Sequence, residues 1–352
     1  MPTPQPLSTV ALPQSYELCR DIMTSHGRTY SLATRLLAPR QQRAVWSLYA
    51  WARIVDDYVD CPADADRSPT HIEATVTRLS ELFHSAVVIG SLDDVHRGRD
   101  RAVISAAAQT FRDYDIDPQL SADFVHSMLM DVPDTSCHIA HFETWEQLDS
   151  YMWGSAAVIG LEMMPILGTR TGVSCEEATP YAECLGKAFQ VTNFLRDIAE
   201  DFRRGRIYLP LNEWEAFGVG TEEIGYCAAT GQTTPAVRQA LAYFIARNRA
   251  LYAEASSGVD MLGVPGRQAI RAAEILYSDI LGEIERMNYN VFAQRAHVGR
   301  ARKAKIALPL LFTAVAGRLR QELSGGVGRG RRTPSGFYNA IACARRITSR
   351  AR

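Results

Sequence analysis

Apolar residues recur three and four positions apart along most of the 352-residue chain, while alternating β-branched runs are scarce. Intervals of three and four put side chains on one face of a helix, whereas a strand needs alternation. The chain is therefore confined to an all-α fold. Proline- and glycine-bearing breaks fall at 62–69, 90–99, 113–118, 132–137, 168–174, 204–210, 218–221, 231–235 and 258–266, and they punctuate roughly ten helices. No repeat of 20–50 residues is visible, which argues against a solenoid. No mid-chain linker splits the body. The expected organisation is an N-terminal extension (1–15), one helical domain (16–322) and a basic, flexible C-terminal tail (323–352). Apolar residues at 47% and charged residues at 22% suit a folded chain with a sizeable core.

The net charge of −1 argues against a nucleic-acid-binding body. Positive charge gathers at the end, in Arg329, Arg331, Arg332, Arg345, Arg346, Arg350 and Arg352, with no acid after Glu322. Such a tail is read as a solvated end that could also touch anionic lipid or RNA. Seven scattered cysteines, with no C-x-x-C pair, suit reduced thiols better than a disulfide framework. The N-terminus lacks the basic start and apolar core of a signal peptide, and no apolar run is long enough to span a bilayer. The expectation is a cytoplasmic protein.

Two stretches carry chemistry. In "YAWARIVDDYVD" (49–60), Asp56, Asp57 and Asp60 interrupt an apolar run. Residues four apart on a helix share a face, so Tyr49, Arg53, Asp56 and Asp60 form one polar stripe. "QVTNFLRDIAEDFRRGRIYLP" (190–210) repeats the device. Gln190, Asn193, Asp197 and Asp201 follow one face, Arg196 adjoins it, and Arg203, Arg204 and Arg206 surround Gly205. Paired like charges repel unless a cation sits between them. Mg²⁺ is the obvious candidate, since it takes oxygen ligands at ~2.1 Å and commonly bridges carboxylates to phosphates. Nearby arginines would grip the remaining phosphate oxygens. A single D-x-x-x-D is usually a solvated helix face; two of them, each beside an arginine and flanked by apolar residues, point to a diphosphate held through metal. His138 and His141 have the spacing of a metal pair but no third ligand nearby, and a surface loop is the plainer reading.

These stretches, with "SHGRTYSLATRLLAPRQQRAVWSLYAWARIVDDYVD", "YMWGSAAVIG" and "RAHVGRARKAK", resemble the squalene/phytoene synthase family of head-to-head prenyltransferases. "YMWGSAAVIG" is nearest to the bacterial phytoene synthases. The resemblance runs from about Tyr16 to Lys305. It implies a single-domain isoprenoid-synthase helical bundle around a central apolar cavity, with the two acidic helices facing each other at its mouth. It implies that Asp56, Asp60, Asp197 and Asp201, with Asn193, hold Mg²⁺ (Mn²⁺ being an alternative). Tyr49, Arg53, Gln190, Asn193, Arg196, Arg295 and Lys303 would bind the diphosphates or shape their surroundings. Tyr151 and Tyr277 would lie near the reacting carbons and the released diphosphate. Thr29, a further substrate-binding position, stands where the family usually has serine, and "VPDTSCHIAH" (132–141) has more residues than the family pattern.

The implied reaction joins two prenyl diphosphates through a cyclopropyl diphosphate to a C₄₀ or C₃₀ hydrocarbon. Two geranylgeranyl diphosphates would give phytoene through prephytoene diphosphate. Two farnesyl diphosphates would give dehydrosqualene, or squalene with NADPH. The sequence does not display tunnel depth and leaves both open. A non-catalytic partner subunit of the same fold and a terpene cyclase are further alternatives, disfavoured by two intact acid pairs and by the RRGRIYLP ending. Phe189 and Phe194 are candidates to face a cation or to be plain core. Gly154 to Ala157 would either leave room for a prenyl tail or allow tight helix packing. Greasy substrates and product imply visits to a membrane surface; oligomeric state is unread.

Overall fold

The computed structural model describes residues 12–60, 68–90, 92, 98–299, 302 and 305–306. The expected tail (323–352) and Lys303 lie outside these residues. Among the described residues there are thirteen α-helices and no β-strand: α1 (Leu12–His26), α2 (Arg28–Thr34), α3 (Pro39–Asp60), α4 (Pro69–Val88), α5 (Arg99–Tyr114), α6 (Pro118–Leu129), α7 (Trp145–Met152), α8 (Val158–Leu167), α9 (Cys175–Arg203), α10 (Leu211–Ala216), α11 (Thr221–Thr230), α12 (Pro235–Val259) and α13 (Gly266–Arg286). Among the described residues, the breaks read from glycine and proline fall at helix boundaries, overlapping the last residues of α5 at 113–114 and of α12 at 258–259. The count is higher than ten because Gly27, the 35–38 turn and a π-helical turn at Trp153–Ala157 divide stretches that periodicity reads as continuous. α1 begins at Leu12, inside the stretch assigned to the extension. No described helix is long and apolar enough to cross a membrane.

The acid-bearing helices α3 and α9 are each fixed by packing on their opposite faces. On α3, Trp51 stacks on Phe83 of α4 at 4.5 Å between centroids, and its indole N–H donates to Ser121 of α6 at 2.9 Å. That anchors the apolar side and turns Asp56 and Asp60 the other way. α9 starts at a capping box, in which Ser174 accepts from the Glu177 N–H and the Glu177 carboxylate accepts from the Ser174 N–H. It packs against α8, α12 and α13. Across the α9–α12 seam, fully buried Asn248 donates to Thr192 Oγ1 (2.9 Å) and to the Ala188 carbonyl (3.2 Å), and Tyr252 meets Thr192 at 2.8 Å. A buried polar network tolerates one register, so it sets which face of α9 looks inward. α9 ends where Gly205 takes φ +79°, a conformation that favours glycine.

One buried group is out of keeping with this packing. Glu162 on α8 is 2% exposed, and its Oε1 has no hydrogen-bond partner. Burial alone pushes its carboxyl from the ordinary 4.5 up to about 8. Between those values the folded chain keeps a proton that the unfolded chain has released. Stability therefore falls as pH rises through that window and levels off above it. Glu162→Gln removes this titration. In denaturant melts at pH 5 and pH 8.5, the variant is expected to gain on the wild type by a few kcal/mol, at about 1.4 kcal/mol per pH unit of the window. An unchanged difference between the two proteins would refute the assignment.

Candidate active site

The inner faces of α3 and α9 open onto a single cavity of about 980 Å³. Asp56 and Asp60 line it from α3 and Asp197 and Asp201 from α9, with Gln190, Asn193 and Glu200 along the same wall. Tyr49, Arg53, Arg196, Arg204, Arg206 and Arg295 line it as well. Elsewhere the wall turns apolar, through Leu37, Leu48, Ile159, Met163, Leu167 and Leu262. The polar stripes deduced from four-residue spacing thus share one hollow. The cavity is charged along one part of its lining and apolar along another.

Each acid has a distinct setting. Asp60 accepts from Arg206 at 2.8 Å and from Arg204 at 3.0 Å, two ion pairs that tie α3 to the segment leaving α9. Asp197 lies between two guanidinium groups, Arg196 (2.8 and 2.5 Å) and Arg295 (2.6 and 2.7 Å). Among the described residues, Asp56 pairs with a single distant cation, Arg53 at 3.9 Å. Loss of solvation within the cleft and then Asp60 raise the Asp56 carboxyl above the ordinary range, against the pull of Arg53, although its side chain stays 44% exposed. Burial and then Asp197 push Asp201 up to about 8, against Arg206 and Arg204. Asp57, the third acid of the first stretch, pairs with Arg53 at 2.6 Å and Arg99 at 3.1 Å and does not line the cavity. It holds Arg53 in place, while Asp56 and Asp60 face the hollow.

This site fits a divalent cation shared with a diphosphate. Asn193 Oδ1 is buried in the cavity wall with no partner, and the crowded carboxylates resist carrying charge until a cation joins them. Among the described residues no three acid, histidine or cysteine side chains form a metal cage. Mg²⁺ ordinarily keeps several waters and takes only one or two carboxylates along with substrate phosphates, so open pairs on facing helices are the appropriate ligand set. His138 and His141 engage different partners: the His138 ring meets the Met130 carbonyl at 3.1 Å and His141 lies 3.3 Å from Glu143.

The aromatic lining falls into two groups. In one, Tyr277 stacks on Tyr30 at 4.8 Å and meets Phe189 at the same distance. In the other, Tyr208 stacks on Phe194 at 4.2 Å and lies 5.5 Å from Tyr151. Burial holds the Tyr151 and Tyr277 phenols above their ordinary range, so they stay protonated near neutral pH. Both phenylalanines border the cavity, although Phe194 is only 4% exposed. The small-residue stretch serves two ends. A Cβ on Gly154 would lie 2.1 Å from Ser127 Oγ, so Gly154 is needed for close helix packing, whereas Ser155 and Ala156 border the cavity. Thr29 lies on α2, and its side chain, like Lys303, lies outside the described residues.

Sequence reasoning missed Tyr30, Asp131 and Tyr208, and it saw Arg206 only as a nearby charge. Asp131 follows α6 in what reads as a loop. It is 4% exposed and accepts from Tyr151 at 2.7 Å and Tyr208 at 3.0 Å. No spacing rule links positions that far apart in the chain.

The Squalene/phytoene synthase family model matches residues 23–302. Phytoene synthase 1, chloroplastic, of Arabidopsis thaliana is 32% identical over 310 residues, spanning 87% of this chain and 68% of the relative. Phytoene synthase, chloroplastic, of Daucus carota is 33% identical over 304 residues, spanning 86% and 71%. Among solved structures, a dehydrosqualene synthase in complex with ligand superposes with a TM-score of 0.73 at 22% identity, over 87% of this chain and 98% of that one. Squalene synthase HpnC from Alicyclobacillus acidocaldarius gives 0.66 at 23% identity, over 80% and 97%. These two establish a shared helical fold. With a family match that takes in both acidic helices and the wall between them, the chain belongs to the squalene/phytoene synthase family of prenyltransferases.

Proposed function

We propose that this chain condenses two geranylgeranyl diphosphates head to head, through prephytoene diphosphate, to phytoene, with Mg²⁺ as its cofactor. The observation that carries the reading is the single cavity lined by both acid pairs, five arginines and an apolar wall. The C₂₀ substrate is taken from the phytoene synthase relatives.

The residues divide the work as follows. Arg53, Arg196 and Arg295 offer fixed positive charge to the diphosphate oxygens, and Gln190 and Tyr49 border the same space. Asp56, Asp60, Asn193, Asp197 and Asp201 would hold Mg²⁺, or Mn²⁺, which when bound neutralises charge on the departing diphosphate as a Lewis acid. The C–O bond of the first substrate breaks, diphosphate takes the electron pair, and an allylic cation remains. The apolar interior keeps water from that cation. The faces of Tyr277, Tyr30, Phe189 and Phe194 favour positive charge without forming a bond to it. The 2,3 double bond of the second substrate attacks, and the proton then lost needs only a weak base, a role the freed diphosphate can fill. Ionisation of the cyclopropyl diphosphate repeats the demand for a charged lining beside a dry interior.

Incubating purified protein and Mg²⁺ with geranylgeranyl or farnesyl diphosphate, with and without NADPH, tests this. A C₄₀ phytoene independent of NADPH is expected. A C₃₀ product alone, or no turnover with assembly onto an active partner, would overturn it. Apolar substrates and product also favour a cytoplasmic chain that meets the membrane peripherally. Failure to co-sediment with anionic vesicles at low salt would contradict that.

A further inference from the structure

We infer that Asp131 is a positioning residue: it fixes Tyr151 and Tyr208 as proton-donating partners of its own carboxylate, leaving the cavity an electron-rich aromatic wall. The inference rests on the prenyl-coupling reading of the same site.

Asp131 follows α6, lines the cavity and is almost fully buried. Its Oδ2 accepts from the Tyr151 hydroxyl at 2.7 Å and its Oδ1 from the Tyr208 hydroxyl at 3.0 Å. Arg206 Nε stands 3.9 Å from Oδ1, and Arg206 Nη2 donates to the Asp131 carbonyl at 2.9 Å. The same guanidinium reaches Asp60 through Nη1 at 2.8 Å. One cluster thus joins the end of α6, the end of α7, the segment after α9 and an acid of α3.

Two chemical consequences follow. A phenol has one proton to donate. With both protons directed at Asp131, neither tyrosine can donate to the reacting carbons or to a water that would otherwise be ordered beside them. A cation passing over either ring face, or beside the phenol oxygen's lone pairs, then meets negative potential. A bare carboxylate in that wall would be a hazard, because it could trap an allylic cation as an ester. Both Asp131 oxygens are already occupied by hydrogen bonds, and Arg206 lies alongside, so the group orients without competing.

Asp131→Asn is close to isosteric but reverses one of the bonds, because the amide NH₂ must donate. One phenol must then turn its proton elsewhere. With geranylgeranyl diphosphate, kcat is expected to fall at least about tenfold, the scale seen when a residue supporting a site is lost, with KM within about twofold. A larger share of turnover should end as prenyl alcohol: water adds to the allylic carbon and releases a proton while diphosphate departs. The tyrosine doublet in ultraviolet resonance Raman spectra should shift as a donor bond is lost, a readout independent of turnover. Tyr208→Phe keeps the ring, removes one donor and should also raise the alcohol share, so it carries the test if Asp131→Asn does not fold. Wild-type kcat and alcohol share in a folded variant, or an unchanged tyrosine doublet in Asp131→Asn, would overturn the inference. A wild type that turns over no prenyl diphosphate would instead refute the proposed function, leaving the Raman result to decide the positioning claim.

Discussion

Replacing Asp197 with alanine is expected to lower kcat by about a thousandfold or more while leaving the fold intact. Asp197 is the acid between Arg196 and Arg295, bonded to each through two contacts. In the proposed site, removing it takes away a ligand for the divalent cation. It also frees two guanidinium groups that would otherwise be aligned with a diphosphate. Loss of a single donor to a developing negative charge commonly costs a hundred- to a thousandfold, and this change disturbs three groups at once. Arg295 is more than half exposed, so its release is accommodated by solvent. Arg196 is only 16% exposed and loses its carboxylate partner, so the melting temperature should fall while the protein still folds. Steady-state kinetics alongside a thermal melt would check this; a variant with near-normal kcat would remove Asp197 from the mechanism.

Arg206→Ala is expected to act on stability as well as on rate. The Arg206 side chain is 8% exposed and faces Asp60 and Asp131 together. Removing one member of a buried ion pair leaves the other without compensation, at a cost of about 3–5 kcal/mol. Here Asp131 is the stranded partner, because it is 4% exposed, whereas Asp60 keeps Arg204. Urea unfolding should report the loss as a lower midpoint. A double variant, Arg206→Ala with Asp131→Asn, should recover part of it, because no buried charge is left over. A single variant as stable as the wild type would contradict the described cluster.

The contrast between Asp197 and Arg206 shows how much of the site can be read from the chain alone. Asp197 announces itself, since Asn193, Asp197 and Asp201 repeat at helical spacing and periodicity puts them on one face. The same rule finds Asp56 and Asp60, but it cannot tell that Asp57, one position along, turns to Arg99 instead. Arg206 is visible as a charge after Gly205. Its destination is not, because the bonds to Asp60 and Asp131 close loops of 146 and 75 residues. Asp131 is harder still: it sits in a turn with ordinary loop composition. The π-helical turn at Trp153–Ala157 leaves no mark either, since GSAA is compatible with a plain α-helix. Helix existence and facing follow from local spacing, whereas partners across the bundle are fixed by tertiary packing.

The central claim is that the acids of α3 and α9 act on one shared cation–diphosphate complex. Calorimetric titration of Mn²⁺ into the protein, with and without inorganic diphosphate, tests it most directly. Tight Mn²⁺ binding is expected only when diphosphate is present, and it should be lost alike in Asp60→Ala and in Asp197→Ala. Mn²⁺ binding that needs no diphosphate, or that survives loss of either acid, would show that the facing helices do not form one site.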